Sequence, residues 1–131
     1  MSRILVVEDH PVNQHLALRL LERRGYEAEV AGDGRAAIEM LKTQDFDLVL
    51  MDVEMPEMDG FQATSAIRRN EKSTGHRVPI IAMTAYTRDA VQARCVAAGM
   101  DGYLSKPVSS VDLYAVIAEV LHRFSYAALR P

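Results

Sequence analysis

Residues 47–51 read DLVLM, a nearly continuous apolar run that Asp52 follows directly. Two similar runs stand elsewhere in the chain, ILVV at residues 4–7 and PIIAM at residues 79–83. Strands that helices cover on both faces need apolar side chains at almost every position, so such runs are typical of the centre of a parallel sheet. We therefore predict that the three runs are central strands of one sheet.

Weaker strand signals predict the edges of this sheet. Residues 26–31 alternate between apolar and acidic side chains, and residues 102–104 are short and mixed, as edge strands tend to be. Apolar residues at spacings of three and four predict intervening helices at about residues 12–24, 35–43, 61–71, 88–98 and 110–124. Short right-handed crossovers then give the strand order 2-1-3-4-5, an α/β flavodoxin-like, doubly wound (βα)5 fold.

Two expectations concern the helices. The first predicted helix is expected to bury Val12, Leu16 and Leu20 against the sheet. The fourth shows only a thin stripe of small residues around Cys95, so it should be the least firmly docked helix. Cys95 has no second cysteine with which to form a disulfide, and we expect it to be a small core residue.

Length and charge limit the possible functions. The chain has 131 residues, which suits one domain, and we predict that domain over residues 1–124 with a tail over residues 125–131. A net charge of -3 lacks the basic excess that nucleic-acid binding requires, so we expect no direct contact with nucleic acid. We see no membrane span and no signal peptide, and we expect a cytoplasmic location.

Charged and polar residues follow the predicted strands at one end of the sheet. Glu8 and Asp9 follow the first strand, Asp52 the third, Thr84 the fourth and Lys106 the fifth. Each pair of carboxylates about 4 Å apart repels by ~1 kcal/mol in water and by ~4 kcal/mol at an effective dielectric constant of 20. Lys106 can offset one charge, and all-oxygen ligands favour Mg²⁺ as the second cation.

This arrangement indicates phosphoryl chemistry. A carboxylate beside Mg²⁺ and a lysine can attack phosphorus and form an aspartyl phosphate. Asp52 is the best candidate for the nucleophile, because the middle strand places it where Glu8 and Asp9 can hold the metal beside it. Thr84 and Lys106 would then donate hydrogen bonds to the phosphoryl oxygens.

Four motifs carry a family resemblance: VVEDH at residues 6–10, DLVLMDVEMPEMDG at 47–60, IIAMTA at 80–85 and GYLSKPV at 102–108. Over residues 3 to about 124 the chain resembles the response-regulator receiver domain of two-component signalling. The stretch DHPVNQ, with MDVEMPEMDG, is most similar to receivers of hybrid sensor histidine kinases. The chain could be the cytosolic part of a membrane-bound kinase or a stand-alone regulator.

The resemblance implies roles for named residues. Glu8, Asp9, Asp52 and the backbone carbonyl of Glu54 would bind Mg²⁺. Asp52 would take its phosphoryl group from a histidine kinase or a histidine phosphotransfer protein, with Thr84 and Lys106 as contacts. Such a domain is a signalling phosphoacceptor that catalyses only its own phosphorylation and slow dephosphorylation, rather than an enzyme.

The resemblance also implies a switch. Tyr103 matches an aromatic residue that turns inward when the threonine hydroxyl moves to the phosphoryl group, which changes the face made by the fourth helix, fifth strand and fifth helix. That face is a possible homodimer surface. Glu54 and Tyr86 match modulating positions that flank the path of the hydrolytic water, and the bond between Lys106 and Pro107 matches a cis peptide.

Two alternatives remain at this stage. Asp52 with Glu54 could belong to a phosphatase of the haloacid-dehalogenase type, although those enzymes carry their aspartate on the first strand. Gly32, Gly34 and Ala37 nominally fit a dinucleotide-binding fingerprint, with Asp52 as its acidic residue. That fingerprint belongs on a central strand, whereas these residues follow a predicted edge strand.

Overall fold

The computed structural model describes residues 2–129, with side chains described as far as residue 124. Strands and helices alternate along the chain in the order β1 (Arg3–Val7), α1 (Pro11–Arg23), β2 (Glu27–Ala31), α2 (Gly34–Thr43), β3 (Leu48–Asp52), α3 (Gly60–Thr74), β4 (Ile80–Thr84), α4 (Arg88–Ala98), β5 (Gly102–Ser105) and α5 (Ser110–Leu129).

The strands form a five-stranded sheet in the order β2-β1-β3-β4-β5, and every neighbouring pair is parallel. The predicted flavodoxin-like fold is therefore confirmed. All residues of β3 and β4 are buried, as the continuous apolar runs require, and β2 and β5 are the partly exposed edges.

Alternate residues of each central strand point to opposite faces of the sheet. On one face, Leu5 and Val49 pack in a core layer with residues of α2 and α3. On the other face, Ile4 and Leu50 pack with α1 and α5, whose buried residues there are Leu21, Leu113, Ile117 and Val120. The sheet thus has helices on both sides.

Helix α1 differs from the prediction in the face that it buries. Val12 and Leu16 are 60% and 55% exposed, so the expectation that they pack against the sheet is wrong. Leu21 is the fully buried residue of α1, and Leu20 is partly buried beside it. Residues four apart advance by about 40° around a helix, so the row from Leu20 back to Val12 turns away from the sheet into solvent.

Helix α4 packs through small side chains, as predicted. Cys95 is buried in a cluster with Val53 and Phe61, and burial raises the pKa of its thiol. The guanidinium of Arg94 lies 4.2 Å from the centre of the Phe61 ring, so a cation–π contact adds to this packing. Whether α4 is the least firmly docked helix stays a prediction.

The C-terminal helix is longer than predicted. Helix α5 continues to Leu129, whereas the sequence predicted its end near residue 124. Residues 130 and 131 of the predicted tail lie outside the described residues. None of the helices in the described part of the chain is long and apolar enough to cross a membrane.

Candidate functional site

The polar residues singled out from the sequence meet at the carboxyl ends of the central strands. Asp52 and Thr84 are the last residues of β3 and β4, one residue further into the sheet than predicted, and both are buried. Because β3 lies between β1 and β4, Asp52 has the end of a strand on either side. This is the crevice position that open parallel sheets offer to ligands.

Lys106 and Asp52 form the main ion pair of the crevice. Nζ of Lys106 donates a hydrogen bond of 2.7 Å to Oδ1 of Asp52, which also accepts from the backbone N–H of Glu54 at 3.1 Å. Burial lowers the pKa of the lysine, but the hydrogen bond and charge of Asp52 outweigh it and raise that pKa. The ammonium therefore keeps its proton and offsets one of the buried negative charges.

The acidic residues lie close enough to share one cation. Glu8, Asp9 and Asp52 each place a carboxylate oxygen within 4.8 Å of the others. Glu8 and Asp52 are buried and Asp9 is exposed, so the cluster opens to solvent on the side of Asp9. Carboxylate oxygens are the ligands that Mg²⁺ prefers, and an exposed edge leaves room for the waters that the ion retains.

The surroundings of Glu8 are the best test of whether the cluster fits a cation. Oε1 of Glu8 accepts a 2.7 Å hydrogen bond from Nδ2 of Asn13, but Oε2 is buried with no partner among the described residues. Burial and then the side chain of Asp52 raise the pKa of Glu8 to about 7. An orphaned buried oxygen on a carboxylate that resists ionisation fits a divalent ion, which would supply both the missing partner and the missing charge.

Sequence reasoning missed two residues that position Glu8. Asn13 and Gln14 stand in the first turn of α1, and Nε2 of Gln14 donates a 2.7 Å hydrogen bond to the backbone carbonyl of Glu8. Pro11 begins the helix directly after the strand-end loop, which brings this turn over the end of β1. Both residues belong to the DHPVNQ stretch, from which the sequence predicts only the subtype of the family.

Gly60 holds the loop after β3 against the crevice. A Cβ atom at this position would lie 2.5 Å from the backbone oxygen of Asp52 and 2.8 Å from Cα of Val53. The backbone N–H of Gly60 donates to the carbonyl of Val53 at 3.0 Å. Any larger residue would push the loop away from Asp52, so the glycine sets how closely residues 53–59 pack beside it.

A chain of hydrogen bonds leads from Thr84 to Tyr103. The Thr84 hydroxyl oxygen accepts from the backbone N–H of Tyr86 at 3.1 Å, and the hydroxyl of Tyr103 donates to the backbone carbonyl of Tyr86. Tyr103 is half-buried against the cluster under α4, and the Arg88 guanidinium lies 5.7 Å from its ring centre. The predicted switch residues are thus connected through one main-chain segment.

The predicted modulators Glu54 and Tyr86 lie in the loops after the neighbouring strands β3 and β4. Glu54 is in the loop after β3, and its Oε1 accepts from the backbone N–H of Ala85 at 2.6 Å. The Tyr86 side chain is exposed in the loop after β4. The bond between Lys106 and Pro107 is cis, as the resemblance implied.

The residues of the dinucleotide alternative serve the fold instead. Gly34 begins α2, and Oδ1 of Asp33 caps that helix by accepting from the backbone N–H of Ala36 at 2.8 Å. A Cβ atom on Gly34 would lie 2.9 Å from Sδ of Met58, so close packing explains this glycine. The segment follows β2, an edge strand, and not a central strand where such a fingerprint belongs.

Comparison with known proteins agrees with this geometry. A family model for the response regulator receiver domain matches residues 4–118. The chain belongs to this family. The receiver domain is 41% identical over 129 residues to the sensor histidine kinase GacS of Pseudomonas protegens, a match that covers 98% of this chain and 14% of that kinase. The predicted likeness to receivers of sensor kinases is confirmed.

Two of the solved structures that are similar to this receiver domain bear on its site. The receiver domain of the sensor histidine kinase PA1611 from Pseudomonas aeruginosa, which has a magnesium ion in its active-site cleft, is 37% identical with a TM-score of 0.82, and the match covers 92% of this chain and 98% of that chain. A co-crystal of the Saccharomyces cerevisiae phosphotransfer protein Ypd1 with the receiver domain of Ssk1 matches with 28% identity and a TM-score of 0.81, covering 91% and 86% of the two chains.

Proposed function

We propose that this receiver domain is the phosphoacceptor of a two-component phosphorelay, and that Asp52 takes a phosphoryl group from a phosphohistidine. The observation that carries this proposal is the position of Asp52, which is buried, paired with Lys106 at 2.7 Å and within reach of two further carboxylates. A carboxylate in that position faces both of the cations that phosphoryl transfer requires.

In this proposal the acidic cluster holds Mg²⁺. Glu8, Asp9 and Asp52 would supply carboxylate oxygens, and the carbonyl of Glu54 would add a backbone ligand. A bound divalent ion would neutralise charge on the transferring phosphoryl oxygens. The magnesium ion in the cleft of the PA1611 receiver supports this assignment.

The side chains of the crevice would carry out the transfer. A carboxylate oxygen of Asp52 attacks phosphorus, the N–P bond of the phosphohistidine breaks, and its electron pair returns to the imidazole nitrogen. Lys106 and the Thr84 hydroxyl then donate to the phosphoryl oxygens. The domain is itself the acceptor, so it turns over no separate substrate beyond the water of its own slow dephosphorylation.

The loops at the crevice mouth would set the lifetime of the aspartyl phosphate. Tyr86 is 57% exposed, and its ring can cover the mouth from the side of β4. Glu54 stands in the loop after β3, and in the resting domain its carboxylate accepts from the backbone N–H of Ala85, directly after β4. We propose that these two side chains restrict the path of the hydrolytic water and lengthen the life of the phosphoryl group.

The phosphoryl donor would dock on the exposed side of α1. Val12 and Leu16 present apolar surface there, and a groove of about 490 Å³ beside them reaches Glu8 and Lys106. A phosphotransfer protein or kinase seated on this surface could bring its histidine to Asp52. The complex of a similar receiver with Ypd1 supports a donor of this class.

Phosphorylation would change the face made by α4, β5 and α5. Withdrawal of the Thr84 hydroxyl toward the phosphoryl group breaks its hydrogen bond with Tyr86, whose carbonyl also holds Tyr103. We propose this face as the output surface and as the surface of a homodimer. The domain spans about 14% of the matched GacS kinase, and we propose that it works in the cytoplasm as the cytosolic part of a membrane-bound kinase.

The experiment is phosphoryl transfer from a phosphohistidine donor. A phosphotransfer protein carrying a radiolabelled phosphohistidine is mixed in turn with the wild-type domain, with Asp52→Asn and with a shortened chain of residues 1–124, the predicted domain. Each mixture is prepared once with Mg²⁺ and once with EDTA. Label should move to the wild type and to the shortened chain only when Mg²⁺ is present. Transfer to Asp52→Asn at the wild-type rate would refute the role of Asp52.

A further inference from the structure

Glu54 connects the two loops that flank Asp52. Its backbone N–H donates to Oδ1 of Asp52 at 3.1 Å, and Oε1 of its side chain accepts from the backbone N–H of Ala85 at 2.6 Å. Oε2 of the same carboxylate is buried and finds no partner in the described part of the chain. A buried carboxylate oxygen left without a hydrogen bond is costly, so the position of this side chain needs an explanation.

The segment that Glu54 holds is the one that positions the proposed switch. Ala85 stands between Thr84, whose hydroxyl accepts from the backbone N–H of Tyr86, and Tyr86, whose carbonyl accepts from the hydroxyl of Tyr103. A hydrogen bond at Ala85 therefore restrains the main chain between these two contacts. The charge of Glu54 is also close enough to Lys106 to contribute to its raised pKa.

We propose that Glu54 is a positioning residue whose side chain holds residues 84–86 in their resting arrangement and is displaced when Asp52 carries a phosphoryl group. This inference rests on the proposed function. A phosphoryl group adds up to about two negative charges next to a residue whose main chain already contacts Asp52. Repulsion between like charges in this partly buried crevice pushes the carboxylate of Glu54 away from Ala85.

Displacement of Glu54 has two consequences. The Ala85 N–H becomes free to donate to a phosphoryl oxygen, an acceptor at least as strong as the carboxylate that it loses. The restraint on residues 84–86 ends at the same time, so Thr84 and Tyr103 can rearrange. Glu54 thus opposes phosphorylation in the resting domain and makes the rearrangement depend on the new charge.

The test compares Glu54→Ala and Glu54→Gln with wild type, and uses Glu57→Gln in the same loop as the matched control. In metal-free protein, nuclear magnetic resonance should show the Ala85 amide proton moving upfield and exchanging faster in Glu54→Ala. Glu54→Gln should show a smaller change, because its amide oxygen can still accept. An Ala85 amide that is identical in wild type and Glu54→Ala would overturn the resting contact.

The second readout is affinity for beryllium fluoride, a phosphoryl analogue, with Mg²⁺ present. Glu54→Ala should bind the analogue about tenfold more tightly than wild type, because the carboxylate no longer competes with the analogue for the Ala85 N–H. Glu57→Gln should bind as wild type does. Equal or weaker binding by Glu54→Ala overturns the role of Glu54. Binding by Asp52→Asn as tight as by wild type would instead show that the proposed function is wrong.

Discussion

Nζ of Lys106 lies 2.7 Å from Oδ1 of Asp52, although the two residues are 54 positions apart in the chain. The pair connects the loop after the edge strand β5 to the end of the central strand β3. The side chain of Asp52 is almost fully buried. A buried ion pair is weak evidence for stability, because desolvation of both charges opposes their attraction. Its value here is chemical, since it points a cation at the proposed phosphoacceptor.

Substitution of Lys106 tests that role. Lys106→Ala should slow phosphoryl transfer to Asp52 by about 100-fold, because one preorganised donor for the developing charge is lost. The rate of label transfer from a phosphohistidine donor measures this effect. Lys42→Ala is the matched control, because Lys42 is an exposed lysine of α2 that pairs with Glu39. Equal rates for the two variants would show that the ion pair is only structural.

Metal-free protein should lose stability as the pH rises from about 4.5 to about 7. The pKa of Glu8 is about 7 in the folded chain and 4.5 by itself, so in this window the folded state binds more protons than the unfolded state. The free energy of unfolding therefore falls with rising pH, by about 3 kcal/mol at most across the window. The stabilisation that protonated Glu8 contributes is complete only at a pH below this window.

Urea unfolding in EDTA gives the free energy of unfolding of wild type and of Glu8→Gln at each pH. The difference between these two free energies isolates Glu8, because other groups titrate in both proteins. The difference should change across the window, and saturating Mg²⁺ should restore wild-type stability at pH 7 by mass action. A difference that stays constant from pH 4.5 to 7.5 would contradict a protonated Glu8.

Asn13 should tune the metal site through Glu8. Its hydrogen bond lowers the pKa of Glu8 against the effect of burial, so Asn13→Ala should raise that pKa further. Mg²⁺ must then displace a more tightly held proton, and its affinity at pH 7 should fall about threefold to tenfold. Calorimetric titration measures the affinity, with the exposed Asn70→Ala as control. Unchanged affinity in Asn13→Ala would remove Asn13 from the site.

The exposed face of α1 should matter most for a protein donor. Leu16→Asp should slow transfer from a phosphotransfer protein about tenfold, since an apolar anchor of the interface is replaced by a charge. Uptake from a small phosphodonor should fall much less, because nothing docks on α1 in that reaction. Val96→Asp places the same change on the exposed face of α4. If both variants slow transfer equally, the donor does not dock on α1.

The fold and most of the candidate site could be predicted from the sequence. The central strands can be predicted because burial on both faces requires unbroken apolar runs. The strand order then follows because the two segments with weaker strand patterns belong at the edges. Glu8, Asp52 and Thr84 stand at the ends of those runs, so parallel topology alone brings them together. That arrangement already indicated Asp52 as the nucleophile and Thr84 as a donor to the phosphoryl group, whereas the roles predicted for Glu54 and Tyr103 came from the family resemblance.

Other features depend on geometry that a residue pattern does not contain. The face of α1 that packs on the sheet is set by the rotation of the helix as it docks, so Leu21 and not Val12 became its buried residue. The bonds of Asn13 to Glu8 and of Glu54 to Ala85 are made by polar side chains that water could satisfy equally well. The partner of each side chain becomes known only once the fold has positioned the backbone around it.

Intact-protein mass spectrometry after incubation with Mg²⁺ and a small phosphodonor tests the central claim most directly. The wild-type domain should gain one phosphoryl group, and fragmentation should place it on Asp52. Asp52→Asn should gain none, and omission of Mg²⁺ should abolish uptake by the wild type. A phosphoryl group that appears equally on Asp52→Asn, or on the wild type in the absence of any divalent ion, would contradict the account.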